Sequence, residues 1–154
     1  GLHELLLQKA MELNQEISKE ESPLVSLFRS TQKGFAIVYD FRFLFKDLQY
    51  ICSSFPRVKE TIRTVEEVRS RMYRSVIELM KAKKLIRSEE REDEFKDLIT
   101  LIKIYSDHWL ESSSIYDDGR RDEKIRKYAY LLMSFFYPYL TDKGREEFQF
   151  IERS

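Results

Sequence analysis

Apolar side chains between residues 56 and 84 recur mostly three, four or seven positions apart, and this spacing limits the possible fold more than any other feature. The stripe consists of Val58, Ile62, Val65, Met72, Val76, Leu79 and Met80. It follows the 3.6-residue period of an α-helix for about six turns and lacks the two-residue alternation of a strand. The sequence therefore predicts a long amphipathic helix that ends near Lys84.

Turn-forming residues are scarce in the rest of the chain. Four glycines and three prolines occur among 154 residues, whereas a sheet protein needs many turns. Apolar periodicity predicts further helices at 2–18, 23–33, 35–52, 90–112 and 121–137, and a short last helix capped by Thr141. Ser22 and Ser88 suit helix starts and Gly34 a helix stop, while residues 111–119 are typical of a loop. We expect a single all-α domain over residues 1–154, a bundle of about six or seven helices.

The stretch FAIVYDFRFLF, residues 35–45, combines a short Phe-x-Phe-x-Phe alternation with helical spacing. The alternation stops after Phe45, so we expect one helix that continues to Cys52 and has two apolar faces. The second face consists of Tyr39, Phe43 and Tyr50 and is bordered by Asp40 and Asp47. This face either fills the core or lines a pocket, because small-molecule pockets combine aromatic walls with a few polar groups. The candidate ligand-binding residues are Tyr39, Asp40, Phe43, Asp47, Tyr50, Tyr73, Tyr105, His108 and Trp109.

Residue patterns for catalysis, cofactors or metals are missing from the sequence. The two histidines, His3 and His108, belong to no Cys/His cluster with metal spacing, and no glycine-rich phosphate loop or nucleophile elbow occurs. Asp40 and Asp47 are the only candidate pair for acid/base catalysis. We therefore expect no enzyme activity, no cofactor and no metal.

The net charge and the cysteine count limit which partners the chain can bind and which cellular compartment suits it. The 27 basic and 27 acidic residues cancel, which argues against binding of the whole chain to nucleic acid or to an anionic membrane. No apolar run approaches the roughly 18 residues of a spanning helix. The single Cys52 suits a reducing compartment, so we expect a cytoplasmic protein.

Two segments of the chain carry a family resemblance. The first is FRFLFKDLQYICSSFPRVKETIRTVEEVRSRMYRSVIELMKAKKLI, which contains Phe43, Phe45, Asp47, Leu48 and the Phe55–Pro56 turn, and the second is FFYPYLTDKGREEF. With these segments the chain resembles, from about residue 20 to residue 150, the regulatory domain of tetracycline-repressor-like (TetR family) transcription regulators. The resemblance implies an all-α regulatory domain with a pocket for a small effector between its central helices.

The same resemblance implies a three-helix DNA-binding domain that precedes the regulatory domain. Residues 2–18 would match the helix that connects the two, and no helix-turn-helix pattern occurs in the 154 residues. We therefore expect this chain to lack the DNA-binding head, so that DNA is contacted only through the missing N-terminal domain of the parent protein.

The two late helices, 90–112 and 121–137, carry apolar faces wider than one neighbouring helix needs. A wider core within the chain and a four-helix interface with a second copy both account for that width. The resemblance favours a homodimer formed through these helices. The candidate dimerisation residues are Leu98, Ile102, Ile125, Tyr128, Leu132, Phe135 and Phe136.

Two functions compete on these observations. The first is an effector-binding and dimerisation domain of a TetR-like regulator, in which an unknown small molecule shifts the spacing of the DNA-binding heads. The alternative is a helical scaffold that binds only protein partners and has no small-molecule ligand.

Overall fold

The computed structural model describes residues 22–153 together with residues 4, 5 and 8. The helices of the described residues are α1 Pro23–Asp40, α2 Arg42–Phe45, α3 Leu48–Ser54, α4 Pro56–Ala82, α5 Glu94–Tyr116, α6 Arg121–Ser134 and α7 Asp142–Arg153, with a 3-10 helix at Tyr137–Tyr139. No β-strand occurs within these residues, so the predicted all-α bundle of about six or seven helices is confirmed. The predicted helix 2–18 falls almost entirely outside the described residues.

Helix α1 begins where the sequence predicts but continues past its glycine. The hydroxyl of Ser22 accepts a hydrogen bond from the backbone N–H of Val25 at 3.4 Å. The predicted stop at Gly34 is wrong, because the helix continues to Asp40. Phe35, the residue after the glycine, is buried in the core. Burial of that face outweighs the cost of a glycine inside a helix, which is about 1 kcal/mol.

The stretch 35–45 is not part of one helix that reaches Cys52, contrary to prediction. Helix α1 ends at Asp40, and the short helices α2 and α3 follow. The carboxylate of Asp47 accepts a hydrogen bond from the backbone N–H of Tyr50 at 3.2 Å. Such a capping residue needs a non-helical backbone, and Asp47 has φ −126° and ψ 65°. Local capping therefore interrupts a helix although the apolar spacing continues through the break.

Helix α5 starts later than predicted. It begins at Glu94, after Asp93 in the left-handed conformation with φ 58°, and not after Ser88. The buried carboxylate of Glu94 accepts hydrogen bonds from the guanidinium of Arg87 and from the backbone N–H of Glu90, both at 3.3 Å. The segment before α5 is therefore folded around this carboxylate and is not helical.

Helix α5 also ends later than predicted, at Tyr116, and so includes most of the loop predicted at residues 111–119. The hydroxyl of Ser113 is buried and donates to the backbone carbonyl of Leu110 at 2.8 Å. A serine that bonds to the preceding turn is compatible with a helix, which explains why a serine-rich segment did not form a loop.

The C-terminal helix is attached to the end of α4. The backbone N–H of Thr141 donates to the carbonyl of Leu85 at 3.0 Å, and its hydroxyl donates to the carbonyl of Lys84 at 2.6 Å. The backbone N–H of Gly144 donates to the same hydroxyl at 3.1 Å. Thr141 is thereby confirmed as the cap of α7.

The buried core involves α1, α5, α6, α7 and the C-terminal half of α4. Trp109 of α5 stacks on Phe35 of α1 with ring centroids 4.6 Å apart. In α4 the buried side chains are those of Tyr73, Val76, Ile77 and Met80. The N-terminal half of α4 and the helices α2 and α3 contribute no fully buried side chain. That part of the molecule contains the cavity described below.

Replacement of Gly144 by alanine should destabilise the protein. A Cβ at this position would lie 2.1 Å from the carbonyl oxygen of Leu85, a backbone atom that cannot rotate away. We expect the free energy of unfolding, measured by urea denaturation, to fall by about 1–3 kcal/mol. Gly119→Ala is the control, because its Cβ would approach only the terminal oxygen of the Asp117 side chain, at 2.9 Å. Equal losses in the two variants would contradict this explanation.

Candidate ligand-binding cavity

A cavity of about 140 Å³ lies between α1, α4 and α5, with α2 and α3 closing one side. Its apolar lining consists of Phe35, Ile37, Val38, Phe45, Leu48, Ile62, Val65, Val68 and Met72, and its polar lining of Ser30, Thr31, Thr61, Glu66, Arg69, Tyr73, Ser106 and Asp107. A mostly apolar cavity with a few polar groups is typical of small-molecule sites.

Helix α4 supplies the longest wall of the cavity. The residues that line it come in pairs that recur every three or four positions: Thr61–Ile62, Val65–Glu66, Val68–Arg69 and Met72–Tyr73. Residues at this spacing share one face of a helix. The apolar stripe that the sequence predicts as a core face therefore borders an open space along its first half and packs in the core only along its second half.

Three charged side chains of the lining interact with one another. Arg69 Nη1 lies 3.9 Å from Glu66 Oε2, and the hydroxyl of Ser70 donates to Glu66 Oε1 at 3.3 Å. Asp107, from α5, interacts electrostatically with both Glu66 and Arg69. Two acidic groups therefore share one basic group at this place in the cavity wall.

Tyr73 connects this cluster to α1. Arg69 donates a hydrogen bond to the hydroxyl of Tyr73, which is in turn hydrogen-bonded to Thr31. The Thr31 hydroxyl donates to the backbone carbonyl of Leu27 at 2.8 Å. This chain of hydrogen bonds satisfies the buried phenol, and burial raises the pKa of Tyr73.

Two polar groups of the lining have no hydrogen-bond partner among the described residues. Ser106 is 6% exposed, and its hydroxyl is unpaired. Its neighbour Asp107 is half-buried, and Arg69, His108 and Lys103 act on its carboxylate only electrostatically, without a hydrogen bond from the described side chains. Buried polar groups are nearly always hydrogen-bonded. These two side chains therefore have hydrogen-bonding capacity that the described part of the chain does not use.

Burial also perturbs the acidic groups of the cavity. It raises the pKa of Glu66, with Arg69 opposing the shift and Asp107 adding to it. It likewise raises the pKa of Asp107, against the attraction of Arg69, His108 and Lys103. Desolvation disfavours an ionised carboxylate, so both groups are less stable as anions here than in water.

Among the residues predicted to bind a ligand, Tyr73 lines the cavity. Phe43 and Tyr50 point outward and are 71% and 61% exposed. Asp40 forms a bidentate ion pair with Arg121, and both N···O distances are 2.9 Å. The second apolar face of stretch 35–45 therefore does not line this cavity.

The remaining predicted ligand residues lie near the cavity wall or at the surface. Tyr39 is half-buried, and Asp47 is the exposed cap of α3. Tyr105 donates to the backbone carbonyl of Tyr128 at 2.7 Å. Trp109 is buried behind Phe35, and His108 is exposed. Ligand contact by any of these residues stays a prediction.

Sequence reasoning missed Glu66, Arg69, Ser106 and Asp107. A signal for the first two was present, because Glu66, Arg69 and Tyr73 are spaced i, i+3 and i+7 and share a helix side with the apolar stripe. Polar residues on an otherwise apolar helix face are informative, because such a face is normally covered by hydrophobic side chains alone.

The predicted dimerisation residues are mostly used by the chain itself. Leu98, Ile102, Ile125, Leu132 and Phe136 are buried in the core, and Tyr128 and Phe135 are half-buried. The wide apolar faces of α5 and α6 therefore serve, to a large extent, a wider core within the chain.

The described residues contain no group of three or more His, Cys, Asp or Glu side chains placed to hold a metal ion. None of their helices is long and apolar enough to cross a membrane.

Comparisons with known proteins agree with the fold. The family model of TetR, described as a bacterial transcriptional repressor, matches residues 7–148. A crystal structure of a TetR-family transcriptional regulator from Marinobacter aquaeolei VT8 is similar, with a TM-score of 0.76 over 99% of this chain and 74% of that chain. The identity is 16%, so this likeness concerns the fold alone. No curated protein matches the chain.

Replacement of Asp107 by asparagine should stabilise the protein at neutral pH. A carboxyl whose pKa is raised by folding binds its proton more tightly in the folded state, so the wild type loses stability as pH rises. We expect the melting temperature of Asp107→Asn to exceed that of the wild type by about 1–3 °C at pH 7. The difference should shrink as pH falls toward 3.8, the ordinary pKa of the group. Asp118→Asn, at an exposed position, is the control variant, and a pH-independent difference for Asp107→Asn would contradict this account.

Proposed function

Because the chain belongs to the TetR family of bacterial transcriptional repressors, whose model spans residues 7–148, we propose that it is the effector-binding and dimerisation domain of a transcriptional regulator. Family membership assigns it a role in transcription regulation and points to a regulatory rather than an enzymatic protein. TetR-family regulators generally act as DNA-binding dimers with small-molecule effectors. The binding of an effector, the homodimer and the control of DNA binding are proposed for this chain.

The observation that carries the effector proposal is the cavity between α1, α4 and α5. It is mostly apolar, and a few polar groups line it, including the unpaired hydroxyl of Ser106. If the walls of this cavity only packed against one another, each buried polar group would be expected to have a hydrogen-bond partner within the protein. A bound small molecule would supply that partner.

A ligand in this cavity would act by shifting a conformational equilibrium. Helix α1 borders the cavity through residues such as Thr31 and Phe35, and it follows the segment 2–18, which is predicted to connect to a DNA-binding domain. Displacement of α1 relative to α4 would reach that segment and change the spacing of the DNA-binding heads. The ligand shifts the equilibrium only by its difference in affinity for the two arrangements.

Filling the cavity should abolish the response to a ligand. In a thermal-shift screen of small molecules, a ligand present at about 100 times its Kd should raise the melting temperature by about 5–10 °C. Val65→Phe adds bulk to the cavity wall, and we expect it to remove this increase while the variant remains folded. Leu79→Phe, on the same helix but outside the lining, is the control. No response of the wild type to any compound, together with a monomeric state, would favour the alternative of a protein-binding scaffold.

Exposed apolar residues on α5 and α6 support the proposed homodimer. Leu101, Ile104 and Ile115 of α5 are 51%, 51% and 65% exposed, and Leu131 of α6 is 41% exposed. Leu101, Ile104 and Ile115 are spaced i, i+3 and i+14, which places them on one side of the helix. A two-fold dimer uses the same patch on both copies, so this outer stripe would form the interface next to the half-buried Tyr128.

A charge in the outer stripe should dissociate the dimer. We expect Ile104→Glu to weaken self-association about 100-fold or more, because an unpaired charge would be buried twice at a two-fold interface. Sedimentation velocity over a concentration series measures the change. Leu79→Glu, at a partly exposed apolar position on α4, should leave the dimer intact. A wild type that stays monomeric at all concentrations would refute the dimer proposal.

A further inference from the structure

We propose that the cavity selects a compact organic cation, whose charged nitrogen lies between the carboxylates of Glu66 and Asp107 while its ring contacts the apolar wall. This inference rests on the proposed function, because it names the chemical class of the effector that the cavity binds.

The charge of the lining favours a cation over an anion. The charged residues of the lining are Glu66, Asp107 and Arg69, so acidic groups outnumber basic ones. Arg69 is already used, because its guanidinium lies 3.9 Å from Glu66 and donates to Tyr73. An anion that approached Arg69 would meet the repulsion of both carboxylates, whereas a cation would meet the attraction of both. In a low-dielectric site this difference is larger than in water.

The groups without partners match the donors of an ammonium ion. The carboxylate of Asp107 accepts no hydrogen bond from the described side chains, and the buried hydroxyl of Ser106 is unpaired. An ammonium group has several N–H donors and no acceptor, so it would donate to both. The neighbouring cations do not replace it, because Lys103 and His108 are exposed and act on Asp107 only through longer-range attraction.

The size and walls of the cavity limit the rest of the ligand. A cavity of about 150 Å³ holds a molecule such as benzene, and this cavity measures about 140 Å³. One aromatic ring or a similar apolar group therefore accounts for this volume. The charged nitrogen and the carbons that link it to the ring need the further space that the cavity has because it is not fully enclosed. The lining includes the aromatic side chains of Phe35, Phe45 and Tyr73, whose ring faces attract cations.

The cost of burying the two carboxylates also favours a cationic ligand. Burial raises the pKa of Glu66 and of Asp107, which means that their ionised forms are poorly compensated. A bound cation would stabilise both ionised forms. Binding would thus offset the free energy that burial of the two carboxylates costs.

Three compounds that share a phenyl ring and a two-carbon frame test the proposal: phenethylammonium, 2-phenylethanol and phenylacetate. The chain contains one tryptophan, Trp109, which stacks on the cavity residue Phe35, so its fluorescence reports occupancy. Calorimetry supplies an independent Kd. We expect phenethylammonium to bind at least about tenfold more tightly than either of the other two compounds at pH 7.

Two variants locate the charge recognition. Glu66→Gln and Asp107→Asn should each weaken phenethylammonium binding about tenfold and leave the affinity for 2-phenylethanol unchanged. Glu67→Gln is the matched control, because Glu67 is the next residue of α4 but is 72% exposed at its side chain. If one of the two cavity variants does not fold, the other variant and the comparison of the three compounds on the wild type still decide the outcome.

The possible failures separate this inference from the proposed function. Equal affinity for phenethylammonium and 2-phenylethanol would overturn the cation proposal, as would tighter binding of phenylacetate. Both results would still demonstrate a small-molecule site and so leave the proposed function standing. Failure of all three compounds to bind would also overturn the cation proposal. The wider thermal-shift screen with Val65→Phe would then decide on the proposed function separately.

Discussion

The arrangement of this molecule depends on three polar side chains along an otherwise apolar side of α4, the buried Tyr73 and the half-buried Glu66 and Arg69. Charged groups taken out of water need partners. Arg69 supplies them in part, through Glu66 and through the hydroxyl of Tyr73, which continues to Thr31 of α1. Asp107 of α5 adds a second carboxylate without a partner of its own among the described residues. The cavity lies where this incomplete compensation occurs, and its chemistry follows from it.

The two halves of α4 differ in how tightly they pack against the rest of the molecule. The C-terminal half is tightly packed, with Met80 fully buried, and the turn after it is bound to α7 through Thr141 and through the close approach of Gly144 to Leu85. The N-terminal half has only half-buried or exposed side chains and faces α2 and α3, which bury none of theirs completely. Regions with few buried apolar contacts open at lower free-energy cost than the core. A rigid half that holds the helices and a looser half that contains the cavity are suited to a domain that responds to a ligand.

The presence of a helix could be predicted well, because it depends on the local spacing of apolar residues. The stripe from Val58 to Met80 has the helical period, and Pro56 suits a helix start, so α4 was located to within about two residues at each end. Helix ends were less predictable, because they depend on partners far away or on hydrogen bonds that composition does not show. Gly34 remained helical beside the buried Phe35, and Asp47 interrupted a pattern whose apolar spacing continued.

The sequence by itself determined that the chain is all-α, where its longest helix lies, and which residues share a side of that helix, because these properties follow from the 3.6-residue period. It also identified the family through two segments that resemble it. Only the tertiary structure decided which side of a helix is covered and by what. Phe43 and Tyr50 lie on two separate short helices and are both exposed. Glu66 of α4 and Asp107 of α5, which no local pattern connects, line one cavity. Burial is a property of how helices pack against one another, and spacing along a single helix does not contain that information.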